Sequence, residues 1–226
     1  MKVIQFVPTL ESGGVEQGVI EISKALVDAG HESHVVSAGG RLVDQLIHEG
    51  TSHHDWKLHK KSILTFRQIN PLAKWIEEMN ADILHVRSRM PAWMVWKALK
   101  KVPENKKPHL VSTIHGLYSV NFYSAVMSKP KNIITVSNSA KSYLLENYKN
   151  TESKNIKLIY RGVDSSEFFP GYTIPGYRSY IAVTQEQKDK AYRLRHKVYS
   201  EELKWVPEAA DGREIDEFDE YAAMVC

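Results

Sequence analysis

Four short segments of this sequence hold residue types that bind or move charge. Pro8-Thr9-Leu10-Glu11-Ser12-Gly13-Gly14 delivers a glycine pair to the start of a stretch with helical periodicity. Glycines let the backbone approach a ligand closely, and unpaired amides at a helix start suit an anion such as a pyrophosphate; a plain flexible connection would use the same residues. Arg87-Ser88-Arg89 places two guanidinium groups ahead of Pro91. Such pairs grip phosphate or carboxylate, although surface arginines are more commonly just solvated. His115-Gly116 sets an imidazole before a turn glycine, where it can donate a hydrogen bond, act as a base or serve as a satisfied structural group. Arg161-Gly162-Val163-Asp164 closes an apolar run on a turn with a carboxylate, which alone says little. Two other groupings carry less. His53-His54-Asp55 with His59 has metal-ligand residue types, but neighbours on a strand point to opposite faces, so His53 and His54 do not share an ion. Trp93, Trp96 and Leu99 recur at helical spacing and read as core rather than as a cofactor site.

The elements that would position these groups follow from apolar periodicity. Val3 to Val7 reads as a buried strand, and Val15, Val19, Ile22 and Leu26 as a helix stopped by Gly30. Further strands are expected over 34–37, 83–86, 109–114, 132–136 and 156–160, and helices over 42–48, 72–79, 92–101 and 139–148. Strands separated by helices imply right-handed parallel crossovers, hence an α/β, doubly wound, Rossmann-like parallel sheet. In an open parallel sheet the ligand crevice lies at the carboxyl ends of the strands. All four charge-bearing segments fall in loops of that kind. The rhythm breaks at Phe168-Phe169-Pro170-Gly171-Tyr172-Thr173-Ile174-Pro175-Gly176, which sets an expected boundary between residues 1–170 and 171–226. Beyond it, a strand over 180–183 and a charged helix over 185–203 form a short, incomplete α+β tail, too small for an independent layer.

Composition narrows the function classes. With 42% hydrophobic and 25% charged residues in 226, the chain has the makeup of a globular protein. Its single cysteine, Cys226, rules out a disulfide framework and a multi-cysteine metal centre. The first residues do not read as a signal peptide, and no apolar run approaches the ~18 residues of a spanning helix. A cytoplasmic location is therefore expected. Residues 1–170 carry 22 Lys and Arg against 16 Asp and Glu, and residues 171–226 carry 8 against 11. A mildly basic first unit suits a phosphate-bearing ligand or a membrane surface. Nucleic acid is not expected, because no stacking-aromatic motif accompanies the scattered cations.

Taken in order, Ser12-Gly13-Gly14-Val15-Glu16, Ala81-Asp82-Ile83-Leu84-His85-Val86-Arg87-Ser88-Arg89-Met90-Pro91-Ala92-Trp93, Ser112-Thr113-Ile114-His115-Gly116, Ile134-Thr135-Val136-Ser137-Asn138-Ser139 and Ile159-Tyr160-Arg161-Gly162-Val163-Asp164 form one pattern. It resembles the amino-terminal, acceptor-side domain of the retaining glycosyltransferases of family 4, which have the two-Rossmann-domain GT-B architecture. The resemblance implies that Gly13 and Gly14 contact the donor diphosphate or acceptor and that His115 lines the reaction centre as the catalytic-site residue. It places Arg87 and Arg89 near the acceptor cleft, with Glu16 and Asp164 as further substrate-binding positions. It further implies a nucleotide-sugar donor, a glycan or lipid-linked acceptor, no metal and no other cofactor. The family's second Rossmann domain, which supplies most donor contacts, has no counterpart in this sequence, so the expectation is a truncated or fused remnant. The alternatives are a non-catalytic acceptor-binding module or half of a split enzyme with a complementary donor-domain chain.

The tail has its own resemblance. Tyr192-Arg193-Leu194-Arg195-His196-Lys197-Val198-Tyr199, Trp205 and Glu214-Ile215-Asp216-Glu217-Phe218-Asp219 are similar to the start of the autoinducer-synthase-like, exosortase-associated acyltransferases of GNAT fold. The resemblance implies that Arg195, Tyr199, Trp205, Asp216 and Asp219 surround an amine-bearing substrate. The same residues also read as an amphipathic helix followed by a solvated acidic segment. N-acyl transfer by the chain is the less favoured expectation, because the sequence stops before a pantetheine-phosphate loop.

Overall fold

The computed structural model describes residues 1–60, 62–149, 151–162, 184–202, 209–213 and 215. The chain divides into two compact units, Met1–Arg161 and Gly162–Cys226. The boundary expected after residue 170 lies outside the described residues.

The first unit alternates strands and helices: β1 (Lys2–Phe6), α1 (Gly14–Asp28), β2 (Glu32–Ser37), α2 (Val43–His48), β3 (Ser52–Asp55), α3 (Ile63–Phe66), α4 (Ile69–Met79), β4 (Ile83–Val86), α5 (Arg89–Leu99), β5 (His109–Ile114), β6 (Asn132–Thr135), α6 (Asn138–Asn147) and β7 (Ile156–Leu158). All strands are parallel, in the order β3-β2-β1-β4-β5-β6-β7. The direction of winding reverses between β1 and β4, which opens the crevice at their carboxyl ends. The expected strands and longer helices are present. Two short elements, β3 and α3, were not foreseen, and α4 and α5 each begin three residues earlier than the periodicity suggests. Pro71 and Pro91 therefore sit in the first turns of these helices, where a missing amide costs no ladder bond.

The sheet is covered on both faces, and strand alternation assigns each residue to one of them. Ile4 and Phe6 of β1 join Val36, Leu84 and Val86 beneath α4 and α5, where Leu72, Ile76, Met94 and Val95 complete the larger core. On the other face Val7 and Val35 pack with Val19 and Ile20 of α1 and Leu46 of α2. Gln5 lies on this second face, fully buried, and donates to the Val19 carbonyl at 3.3 Å and Ser23 Oγ at 2.9 Å. A polar side chain at that depth is stable only because its amide is paired.

In the second unit, α7 (Gln185–Arg195) opens on a capping box between Thr184 and Gln187 and continues as a π-helical stretch, His196–Glu202. Asp189 pairs with Arg193 one turn on and with Arg213, at 2.9 and 3.0 Å. The strand expected over 180–183 lies outside the described residues.

Candidate functional site at the carboxyl edge of the sheet

Strand register brings the site together. Gln5 pairs with His85, and His85 with Val111, so these three share a face. By the same alternation that face carries Arg87, two residues beyond His85, and Thr113 and His115, two and four residues beyond Val111. That face is the one roofed by α1, so Arg87 and His115 emerge beneath the helix whose amino terminus carries Gly13 and Gly14.

The loop that leads into α1 is held from below. The Leu10 amide donates to the Gly39 carbonyl at 2.8 Å, the Leu42 amide to the Leu10 carbonyl at 2.9 Å, and Arg41 Nε to the Glu11 carbonyl at 2.7 Å. Gly40 lets the two loops touch: its φ is +139°, and a Cβ there would lie 2.4 Å from backbone atoms of Leu10. Gly13, φ 137°, is the N-cap of the helix, with no side-chain cap on the first amides. Those amides form an anion-seeking end, and the Glu16 carboxylate folds back over it, 2.8 Å from where a Gly13 Cβ would stand.

Arg87 is the centre of the cluster. Placed near the acceptor cleft by the resemblance, it is only 4% exposed, which the solvated alternative does not fit. Its Nη1 donates to Gln5 Oε1 at 2.9 Å and to the Gly18 carbonyl at 3.2 Å, while Nε has no partner. Gly18 makes room for it: a Cβ at that position would meet Arg87 Nη2 at 2.8 Å and Arg161 Nη2 at 3.2 Å. Arg161, arriving after β7, also crosses Gly14, where a Cβ would lie 2.8 Å from Nη1. Two guanidinium groups thus lie side by side against the small-residue face of α1. Glu21 faces Arg161 at 3.7 Å. Burial, then Arg161, lowers the Arg87 pKa to about 10, so it remains a cation at neutral pH.

His115 follows β5, half-buried, with Nε2 unpartnered. Burial first, and then the Arg87 and Arg161 charges, drive its pKa down to about 3. His85, deeper along the same face, bonds Thr113 Oγ1 at 2.7 Å and is also lowered to about 3, by burial, Arg87 and His115. Both imidazoles are therefore neutral at physiological pH. His115 can there accept or donate a hydrogen bond through its tautomers but carries no positive charge to a ligand.

Arg89 does not join Arg87 and instead opens α5. Its guanidinium donates to Ser124 Oγ at 3.2 Å and stacks 4.7 Å from the Tyr118 ring centroid and 5.2 Å from that of Tyr123. Asp164, Trp205, Asp216 and Asp219 lie outside the described residues. Arg195 ends α7 and Tyr199 falls within the π-helical stretch that follows. The His53 and His54 side chains diverge as the strand geometry requires: His53 bonds Ser37 Oγ at 2.8 Å, and His54 bonds His34 Nδ1 at 3.1 Å and packs edge-on to Trp75. Among the described residues no group of three or more His, Cys, Asp or Glu could hold a metal ion. Of the Trp93, Trp96 and Leu99 stripe, Trp93 and Leu99 are buried, whereas Trp96 is half-buried.

Three members of this cluster were absent from the sequence-based set. Gln5 was signalled by being the one polar residue in a five-residue strand core, and Arg161 by its place in the last crevice loop. His85 carried no signal of its own beyond sharing alternation with Arg87.

A parallel sheet of this order, with a glycine-led first helix and a basic crevice at the winding reversal, defines a Rossmann-like half of the GT-B fold. The family model described as Glycosyltransferase Family 4 matches residues 12–167, and the chain belongs to that family. A glycosyltransferase from Rickettsia africae of known structure is 36% identical, with a TM-score of 0.65 over 77% of this chain and 46% of that one. Two further structures share the fold at 16% identity. They are Anabaena HepE, solved with UDP and glucose, with a TM-score of 0.59 over 88% of this chain and 50% of its own, and the lipopolysaccharide outer core galactosyltransferase WaaB, with a TM-score of 0.56 over 73% and 46%. This chain thus spans about half the length of these solved relatives. No curated protein matches it.

Proposed function

We propose that the Met1–Arg161 unit binds the phosphate groups of a nucleotide sugar, or of a phosphorylated glycan or lipid acceptor, as the acceptor-side half of a sugar-transfer site. The observation that carries this reading is the Arg87–Arg161 pair against Gly14 and Gly18, with Arg87 Nε and His115 Nε2 both unpartnered. Two like charges beside the positive end of a helix repel one another, and Glu16 and Glu21 offset them only in part. A diphosphate placed there would meet both guanidinium groups and the first amides of α1, each a charge-assisted contact. In retaining sugar transfer negative charge builds on the leaving phosphate, and preorganised cations lower that barrier directly. Neutral His115 would stand beside the transferred sugar as a hydrogen-bonding group. The binding of UDP by HepE suits a uridine diphosphate as the probe. A cytoplasmic site, with peripheral contact to a membrane, fits this reading, since no helix among the described residues is long and apolar enough to cross one.

Calorimetric titration of the full chain with UDP-glucose and with pyrophosphate tests the proposal. Saturable binding that weakens at least about tenfold in Arg161→Ala is expected, as loss of one charge-assisted contact implies. Binding that is unchanged in both Arg161→Ala and His115→Ala would overturn it.

A further inference from the structure

A second surface stands beside this crevice and is not used by it. The loop after β5 exposes three apolar side chains: Leu117 is 44% exposed, Val120 56% and Phe122 78%. Phe122 packs 5.0 Å from the ring of Trp93 and helps close a cavity of about 190 Å³ whose lining also includes Phe66, Met90, Tyr123 and one cation, Lys97. Lys97 lies over the Phe66 ring at 5.2 Å. Trp93 meets Trp96 edge to face at 5.5 Å, and Trp96 carries two ammonium groups on its ring, Lys100 at 3.8 Å and Lys129 at 4.7 Å. From Trp96 a second hollow of about 490 Å³ runs on to Lys149. Among the described residues that line the two hollows there is no carboxylate. A face therefore runs from projecting apolar residues past the half-buried Trp96 to lysines, with Trp93 buried beneath it.

We infer that this face docks the protein on an anionic lipid bilayer. The occupant follows from the arrangement of charge and apolar groups. A protein partner of ordinary composition would meet a polar rim of both signs around a flat apolar centre. Here the apolar side chains stand out on a loop tip, the half-buried Trp96 ring lies behind them, and among the described residues every cation lining the two hollows is a lysine on a long stem. That order is the order of a bilayer surface: acyl chains for Phe122 and Val120, the headgroup boundary for the half-buried Trp96, and lipid phosphates for Lys97, Lys100 and Lys129, with Trp93 buried beneath as the support of Phe122 and Trp96. Phe122 presents most of an aromatic side chain to water, and transfer to hydrocarbon recovers that exposure. The inference rests on the peripheral-membrane part of the reading above and not on sugar transfer. Arg89 links the two places: it stacks on Tyr123, which lines the apolar cavity, from a helix start adjacent to the crevice. A lipid-linked acceptor lying in the membrane would thus have its phosphate end within reach of the crevice.

Co-sedimentation of the full chain with sucrose-loaded vesicles tests this, using phosphatidylcholine alone and equimolar phosphatidylcholine with phosphatidylglycerol. Binding to the anionic vesicles and little to the neutral ones is expected. Phe122→Ser should weaken it by about tenfold or more, and Lys100→Gln with Lys129→Gln by about fivefold for each charge removed. Ile47→Ser, at an exposed apolar position on α2, should leave it unchanged. Each variant is checked by thermal unfolding for retention of the fold. Equal binding to both vesicle types, no binding to either, or indifference to both the Phe122 and the paired lysine variants would overturn the inference. A concentration-dependent dimer abolished by Phe122→Ser, without vesicle binding, would assign the face to a second copy instead. No nucleotide is present in this assay, so its outcome and that of the UDP-glucose titration are read separately.

Discussion

Replacing Arg87 with methionine separates a binding residue from a structural strut. In the folded protein burial and Arg161 bring the Arg87 pKa from 12.5 to about 10. At ~1.4 kcal/mol per unit, keeping this group charged at neutral pH costs on the order of 3 kcal/mol relative to the unfolded chain. Arg87→Met removes that cost and nearly preserves volume. Against the gain, Gln5 Oε1 loses its donor at a fully buried position, a penalty of ~1–3 kcal/mol. The Gly18 carbonyl, being inside α1, keeps its place in the helix ladder. The opposing effects nearly cancel, so urea unfolding should report a stability change of no more than about 1–2 kcal/mol in either direction. Affinity for UDP-glucose should nevertheless fall by at least about tenfold, since a charge-assisted contact is lost. The His85 and His115 pKa values should both rise, because Arg87 is one of the charges that depress them. Destabilisation by ~3–5 kcal/mol, the usual result of breaking a buried ionic network, together with unchanged affinity, would refute the argument and make Arg87 a strut.

Three further outcomes follow from the same geometry. Because His85 has its pKa lowered from 6.5 to about 3, the unfolded chain binds the extra proton across that interval. Stability should therefore fall as pH drops through it, by up to ~1.4 kcal/mol per pH unit for this group, and His85→Gln should flatten the dependence of the urea midpoint on pH. Gly40→Ala forces a side chain into a φ of +139° and onto the Leu10 backbone, so a loss of at least about 2 kcal/mol in urea unfolding is expected. Gly116→Ala, where a Cβ would meet nothing within 4 Å, should change stability by no more than about 0.5 kcal/mol.

The parallel sheet was legible because each buried strand is a short apolar run bounded by a helical period, as in Ile83–Val86 and His109–Ile114. β3 was not, because Ser52-His53-His54-Asp55 carries no apolar residue; it is held as an edge strand by pairing with β2 and by the His34–His54 contact. The starts of α4 and α5 were misplaced for a common reason. In the sequence a proline reads as the entry point, whereas each helix begins two residues before it, at Ile69 and Arg89. In the site, Gly13, Gly14, Arg87 and His115 were legible from their loops. The burial of Arg87 was not, because it depends on a distant partner: Gln5, 82 residues away in sequence, receives the guanidinium only once β1 and β4 lie side by side. Alternation along β4 shows that Arg87 and His85 share a face, but only the observed strand order shows that this face lies under α1.

The most direct test of the account is a map of where the nucleotide sugar lands. Titrating the isotopically labelled full chain with UDP-glucose and following backbone amides by NMR should give saturable shifts at Gly13, Gly14, Gly18 and Gly116, together with the Arg87 and Arg161 side-chain signals. Pyrophosphate alone should shift the α1 and arginine signals and leave Gly116 less affected, because it lacks the sugar that would reach the His115 loop. Saturable shifts confined to residues outside this crevice, or no shift at any ligand concentration while the protein stays folded, would contradict the assignment of a phosphate-binding sugar-transfer site.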